Sequence, residues 1–269
     1  MKTVAVIPSY NDSQTVRSVQ WQAGQYVDST VVVDDGSTDG TNLVGEGILR
    51  HSENRGKGAA LRTGIKEALQ NGADLIVTLD ADGQHDPSEI PALLTAMEGS
   101  DMVIGKRMRT ATMPGLRRWC NGLSSVLLSL VSGRVWYDVH SGFRAYRADL
   151  LRDLEINSSR YEVEVELLLK AGRLGRRVVE VPVSTRYGSE QSSFSPFGDT
   201  LRFLKAVVVF RLGLDRWSIR RNGKIWWPIN WFGGGFRIRG FWKRSAWFRA
   251  IGLFRRTWSL KPTRTDLFP

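Results

Sequence analysis

A single cysteine, Cys120, stands in 269 residues, so no intramolecular disulfide can form and a reducing compartment suits the chain. The plain reading of that thiol is a small buried apolar side chain. Long apolar runs are also missing. The longest charge-free stretch of the C-terminal part, residues 225–236, has 12 residues including Pro228 and three glycines, short of the ~20 that span a bilayer. The N-terminus enters Val4-Ala5-Val6-Ile7 without the cationic and long apolar segments of a secretory leader, so none is expected. Acid is what the last 69 residues lack. Residues 201–269 carry 16 basic and 2 acidic side chains, net +14, whereas residues 1–200 carry 22 basic and 25 acidic, net −3. The overall +11 therefore resides in the tail, where seven of the ten tryptophans also fall, all after residue 216. Such an excess points to an anionic partner.

An apolar fraction of 42% and a charged fraction of 24% exclude disordered, collagen-like and disulfide-scaffold classes. The first 180 residues alternate between short β-branched runs and helical patterns, the form of a parallel sheet covered by helices. Strands are expected at 3–7, 30–33, 75–79, 102–105 and 177–181, and helices at 12–22, 41–47, 57–71, 87–98, 116–132 and 162–172. Three strands run out into polar or acidic segments: Pro8-Ser9-Tyr10-Asn11-Asp12, Asp34-Asp35-Gly36-Ser37 and Asp80-Ala81-Asp82-Gly83-Gln84. In open α/β sheets the ligand lies beyond the carboxyl ends of the strands, so these segments are expected to line one crevice.

Asp80 and Asp82, two apart at a strand end, can bind one divalent cation, and a cation there would neutralise a diphosphate. The acidic turn after residue 33 can accept hydrogen bonds from a base or ribose, or cap the following helix. Asn54-Arg55-Gly56-Lys57-Gly58 sets two glycines and two cations at a helix start, where free N–H groups favour phosphate. Its spacing is not that of a P-loop. Glu162, Glu164 and Glu166 alternate so that only Glu162 and Glu166 share a helix face; they either order a site or coat a solvated face.

Taken in order, the segments at 7–12, 34–40, 54–58, 80–85 and 141–147 make residues 1–200 resemble family 2 glycosyltransferases of the GT-A fold. Within that family the chain looks most similar to the dolichyl- or polyprenyl-phosphate mannose and glucose synthases. The resemblance implies a Rossmann-like, mostly parallel sheet flanked by helices. It also implies nucleotide contacts at Pro8, Tyr10, Asp12, Val33, Asp35, Ala81, Arg107 and Arg186; Lys57, a cation at the helix start above, is expected beside them on the phosphate side. Mg²⁺ or Mn²⁺ would sit at Asp80, Asp82 and Gln84. Asp138 and Arg144 would lie on the acceptor side, Arg144 suited to a lipid phosphate. The chain has Asp12 where most relatives carry Glu, and Gln191-Ser192-Ser193-Phe194 where Ser-Lys-Leu often follows.

Transfer to a sugar hydroxyl needs a general base. Processive members supply it from a Glu-Asp pair and hold the acceptor with Gln-x-x-Arg-Trp; neither string occurs here. An ionised lipid phosphate needs no base, so the expected reaction moves a hexose from a nucleotide sugar, GDP-mannose or UDP-glucose, to a polyprenyl phosphate. Two other readings remain open: a transferase acting on a sugar hydroxyl with a base such as Asp138, and a basic single-strand nucleic-acid binder. No nucleic-acid motif supports the latter. The expected organisation is a catalytic domain over 1–200 and a membrane-associating tail over 201–269. As a helix, the tail places Trp247, Ile251, Phe254 and Trp258 on one stripe, with Arg249 and Arg256 opposite. That pattern lies in a headgroup region rather than spanning it. It places the chain peripherally at the cytoplasmic face of the cell membrane against anionic lipid, with homo-oligomerisation left open.

Overall fold

The computed structural model describes residues 1–43, 47–107 and 115–185, together with Phe203, Val207 and the backbone of 219–221 and 224–226. A seven-stranded sheet runs in the order β3-β2-β1-β4-β6-β5-β7. Its strands are β1 (Thr3–Ser9), β2 (Ser29–Asp34), β3 (Leu49–Arg50), β4 (Leu75–Thr78), β5 (Met102–Arg107), β6 (Arg144–Arg147) and β7 (Val178–Val183). Six run parallel. β6 alone is antiparallel, inserted between β4 and β5 with Ala145 opposite both Val77 and Val103. A small hairpin of β8 (Ile219–Arg221) and β9 (Lys224–Trp226) lies apart from the sheet.

Alternation along the strands feeds two cores. Val4 and Val6 of β1, with Ile76, Ile104 and Tyr146, pack on one face; Ala5, Ile7, Val77, Val103 and Ala145 pack on the other. The first face is covered by α2 (Lys57–Gln70), α5 (Ala148–Asp153) and α6 (Val163–Arg173), and the second by α1 (Val16–Ala23) and α3 (Ile90–Ala96). Both faces being buried explains the near-continuous apolar strands. Phe203 and Val207, beyond residue 200, are buried in the first core.

Several expected elements change. The helix expected over 41–47 is a single 3-10 turn, Thr41–Leu43, in its described part. α1 starts at Val16 rather than Asp12, because the Asp12 carbonyl closes a turn on the amides of Thr15 and Val16. β3, β6 and α5 were not expected. α4 (Gly115–Ser132) turns its polar stripe inward: Asn121, Ser124, Ser125 and Ser129 are buried, whereas Leu123 and Val126 are half-buried and Leu130 is exposed. The serine hydroxyls explain this, since Ser125 donates to the Tyr137 carbonyl at 3.1 Å and Ser129 accepts the Trp136 amide at 2.9 Å. Among the described residues no helix is long and apolar enough to cross a membrane.

Candidate active site

The parallel strands end on one edge, and the strand order changes direction between β1 and β4, the switch point at which open sheets bind ligands. Pro8 and Val33 are register partners there, both buried. Beyond them Asn11 adopts φ 58°, in the left-handed region, and is tied on both sides: its amide donates to Ser37 Oγ at 2.9 Å, and its side-chain oxygen accepts the Thr38 amide at 3.0 Å. This turn leaves Tyr10 43% exposed at the rim. The Asp12 carboxylate accepts from the Tyr10 amide (2.9 Å) and the Ser9 hydroxyl (3.1 Å). Burial pushes its pKa up against those hydrogen bonds, and the charges of Asp80 and Asp39 push the same way.

Asp35 faces the chain rather than the crevice. Its carboxylate takes the amides of Arg55 (3.1 Å) and Gly56 (2.7 Å), with His51 Nδ1 at 2.7 Å. The side chain expected at a base or ribose is thus occupied in fixing the 51–56 loop. That loop leads into α2, whose N-terminus is not free for phosphate either. The Gly58 and Ala59 amides donate to the Ser159 carbonyl at 2.9 and 3.4 Å. A Cβ at Gly56 or Gly58 would collide with the Ser159 or Ser158 carbonyl, so both glycines serve close packing. The expected phosphate cradle is therefore a loop–helix junction, filled by protein oxygen.

Lys57, at the start of α2, lies instead between two carboxylates: Nζ is 2.6 Å from Asp80 Oδ1 and 2.7 Å from Glu164 Oε1. Burial would lower its pKa, but those two charges raise it above the ordinary lysine value. Burial likewise opposes ionisation of Asp80, and Lys57 reverses this and holds its pKa below the carboxylate norm. Gly142 presses on the pair, because a Cβ there would stand 2.7 Å from Asp80 Oδ2 and 2.8 Å from Lys57 Nζ. Gly142→Ala should therefore displace Asp80 and lower transfer at least ~10-fold while the fold survives, since such a contact must be relieved by movement. Wild-type turnover in a correctly melting Gly142→Ala protein would contradict this.

Among the described residues no cation forms such an ion pair with Asp82. Burial and then the charge of Asp80 push its pKa up to about 6, although Oδ1 accepts the Gln84 amide at 3.0 Å. Ala81 is buried between the two aspartates in sequence. His85 packs against Phe143 at 5.2 Å, and burial lowers its pKa to about 4, so it is neutral.

The sequence from residue 4 to residue 155 matches the pattern described as Glycosyl transferase family 2. The chain belongs to glycosyltransferase family 2. It is 32% identical over 243 residues to an undecaprenyl-phosphate mannosyltransferase of Micrococcus luteus, an alignment covering 81% of this chain and 97% of the relative. It is 30% identical to the polyprenol monophosphomannose synthase of Mycolicibacterium smegmatis, covering 68% and 77% of the two chains. The fold matches glucosyl-3-phosphoglycerate synthase of Mycobacterium tuberculosis, crystallised with Mn²⁺, UDP and phosphoglyceric acid, at a TM-score of 0.63. That match has 23% identity and covers 82% and 80% of the chains. The GT-A fold expected from the motifs is the one observed.

A second buried ion pair joins Arg107, expected at the nucleotide, to Asp138, expected on the acceptor side. Arg107 Nε and Nη2 grip Asp138 at 2.7 and 2.9 Å, and the Arg107 amide adds a third bond at 3.1 Å. Burial would raise the Asp138 pKa, but the guanidinium outweighs it and holds it at about 2. A depressed carboxylate stabilises the fold above pH ~4 and loses that contribution as pH falls through about 2. A shift of this size is worth about 2 kcal/mol. The stability gap between wild type and Asp138→Asn, read from urea midpoints, should shrink by roughly that amount between pH 5 and pH 2. A gap that stays constant would rule out this assignment.

Arg144, expected to meet a lipid phosphate, is fully buried. Its guanidinium donates to the carbonyls of Ser141 (2.6 Å), Glu164 (2.7 Å) and Val139 (2.8 Å). It braces the 139–142 segment over Asp80, a correction imposed by the three carbonyls that hold all three of its guanidinium nitrogens. Arg186 and the 191–194 loop lie outside the described residues. Two residues read as optional in the sequence are central to the structure. Glu164 holds Lys57, and Glu166 is buried against Lys170 (2.6 Å) while accepting the amides of Asn157 (2.9 Å) and Ser158 (2.7 Å). Their signal was carboxylates inside the otherwise apolar run 163–169, where a charge must be paired.

Proposed function

We propose that this protein transfers a hexose from GDP-mannose or UDP-glucose to a polyprenyl phosphate, with inversion, at the cytoplasmic membrane surface. The observation that carries the reading is the state of Asp138. A carboxylate gripped by Arg107 and held at about 2 is a poor proton acceptor at neutral pH, which disfavours a hydroxyl acceptor. A lipid phosphate is already ionised. One of its oxygens forms the new bond to the anomeric carbon as the bond to the diphosphate breaks. The nucleoside diphosphate leaves with the electron pair, and no proton is moved.

The donor set at the β4 end, two carboxylates and a carboxamide, offers hard oxygen ligands that fit Mg²⁺ or Mn²⁺. Among the described residues no cluster of three or more His, Cys, Asp or Glu forms a ready metal centre, so Asp80, Asp82 and Gln84 would share the ion with donor phosphate oxygens. When bound, such an ion supplies charge stabilisation to the departing diphosphate. Asp12 and Tyr10 shape the nucleotide end of the crevice. The Arg107–Asp138 pair and the braced 139–142 segment form its acceptor wall.

The cationic, tryptophan-rich segment within 201–269 fits a lipid surface, where each Lys or Arg near an anionic leaflet contributes ~1 kcal/mol. The outward Leu123, Val126 and Leu130 of α4 fit the same surface. The stripe at 247–258 lies outside the described residues. The test is incorporation of labelled hexose into organic-extractable lipid with polyprenyl phosphate in anionic vesicles. A variant with alanine at Trp247, Ile251, Phe254 and Trp258 should lose at least ~10-fold on vesicles and keep its rate on a short, water-soluble prenyl phosphate. Label that stays in the aqueous phase with every prenyl acceptor would sink the reading.

A further inference from the structure

We infer that Lys57 is the resident counter-cation of Asp80, a positioning residue that sets how strongly the β4 end attracts a divalent metal. The inference rests on the metal-dependent reading above. Three observations carry it. The ammonium lies within 2.7 Å of both Asp80 and Glu164. The Glu164 carboxylate is buried, and among the described residues its one ion pair is with Lys57. Gly142 closes on the pair so tightly that even a methyl group would strike it.

Asp80, Lys57 and Glu164 together carry a single negative charge. Asp82 adds a second, and among the described residues no ammonium or guanidinium forms an ion pair with it. The two aspartates of the motif are therefore not equivalent. Asp80 is neutralised and oriented by the protein, whereas Asp82 presents its charge to whatever cation enters. To reach a phosphate, Lys57 would have to abandon Glu164 in a buried setting, a costly exchange. Its position, one residue inside a helix whose first amides are already taken by Ser159, fits the carboxylate role and not the phosphate one.

Charge arithmetic gives the test. Lys57→Met makes the trio −2, Glu164→Gln makes it neutral, and the double variant restores −1. Mn²⁺ binding to the full-length protein without nucleotide, read at pH 8 from the electron paramagnetic signal of free Mn²⁺, should follow that order. A unit charge at this range in a partly buried site is worth about tenfold in affinity. Lys57→Met should bind Mn²⁺ about tenfold tighter, Glu164→Gln about tenfold weaker, and the double variant within about threefold of wild type. Transfer should fall in Lys57→Met despite the tighter metal, because Asp80 loses its anchor. Affinity for UDP or GDP without metal should stay within about threefold, since the Lys57 ammonium is engaged by Asp80 and Glu164.

A merely structural lysine would weaken Mn²⁺ binding on removal, and that result in a normally melting protein would overturn the inference. So would a tenfold loss of metal-free nucleotide affinity. Should Lys57→Met fail to fold, unchanged or tighter Mn²⁺ binding by Glu164→Gln would be equally fatal. Wild-type protein that binds no Mn²⁺, with or without UDP or GDP, would remove the metal-dependent reading itself; wild-type binding without the charge order removes only the role of Lys57.

Discussion

Asp82→Ala should reduce hexose transfer by at least ~10³-fold, the scale seen when a group stabilising developing charge is removed. In the proposed reaction the departing nucleoside diphosphate would concentrate negative charge at the β4 end, where Asp80 and Asp82 are already carboxylates. Burial and the neighbouring Asp80 already raise Asp82 to about 6, a measure of how poorly the site tolerates its own anions. A divalent cation relieves both this repulsion and that of the leaving group. Asp82→Asn keeps the shape and loses the charge, so it should fall nearly as far. The assay is labelled hexose recovered in lipid at saturating Mn²⁺, with and without EDTA. Full activity of Asp82→Ala in EDTA would show that the leaving group is stabilised elsewhere.

Glu166→Ala should be the most destabilising single change in the described fold. Glu166 and Lys170 are both fully buried, and removing one partner of a buried pair costs about 3–5 kcal/mol. Two amides, of Asn157 and Ser158, would lose their acceptor as well. For a domain of this size that predicts a melting temperature lower by about 10 °C. Lys170→Met should cost less, because Glu166 would retain both amides. The same segment carries the Ser159 carbonyl that anchors the start of α2, so surviving Glu166→Ala protein should also transfer more slowly as Lys57 shifts and Asp80 loses its anchor. Equal melting of the two variants would mean that the ammonium, not the carboxylate, organises the 155–159 segment.

Much of this architecture is written in local patterns. The β-branched runs at β1, β2, β4, β5 and β7 announce themselves because both sheet faces are covered, and the acidic or polar exits mark the crevice. β6 was hidden because Arg144 and Arg147 make it look like a loop; only the burial of Arg144 on three carbonyls lets a charged residue serve as an inward strand position. The site was legible in residue type but not in partner. Asp35, Lys57 and Asp138 are all where the sequence motifs point, yet their contacts are with Gly56, Asp80 and Arg107 rather than with open crevice. Pairings over 20 to 30 residues or more depend on which strands become neighbours, and spacing does not encode that.

β6 has a mechanical consequence. Paired along one edge with β4 and along the other with β5, it has no free ladder and cannot slide without breaking two sets of backbone bonds. The segment entering it carries Asp138 at one end and Gly142 at the other, so the Arg107–Asp138 pair and the Lys57–Asp80 pair are stitched to a single stiff rib. The floor of the crevice should behave as one rigid body. Amide exchange should reflect this, with the backbone of residues 144–147 among the slowest in the protein.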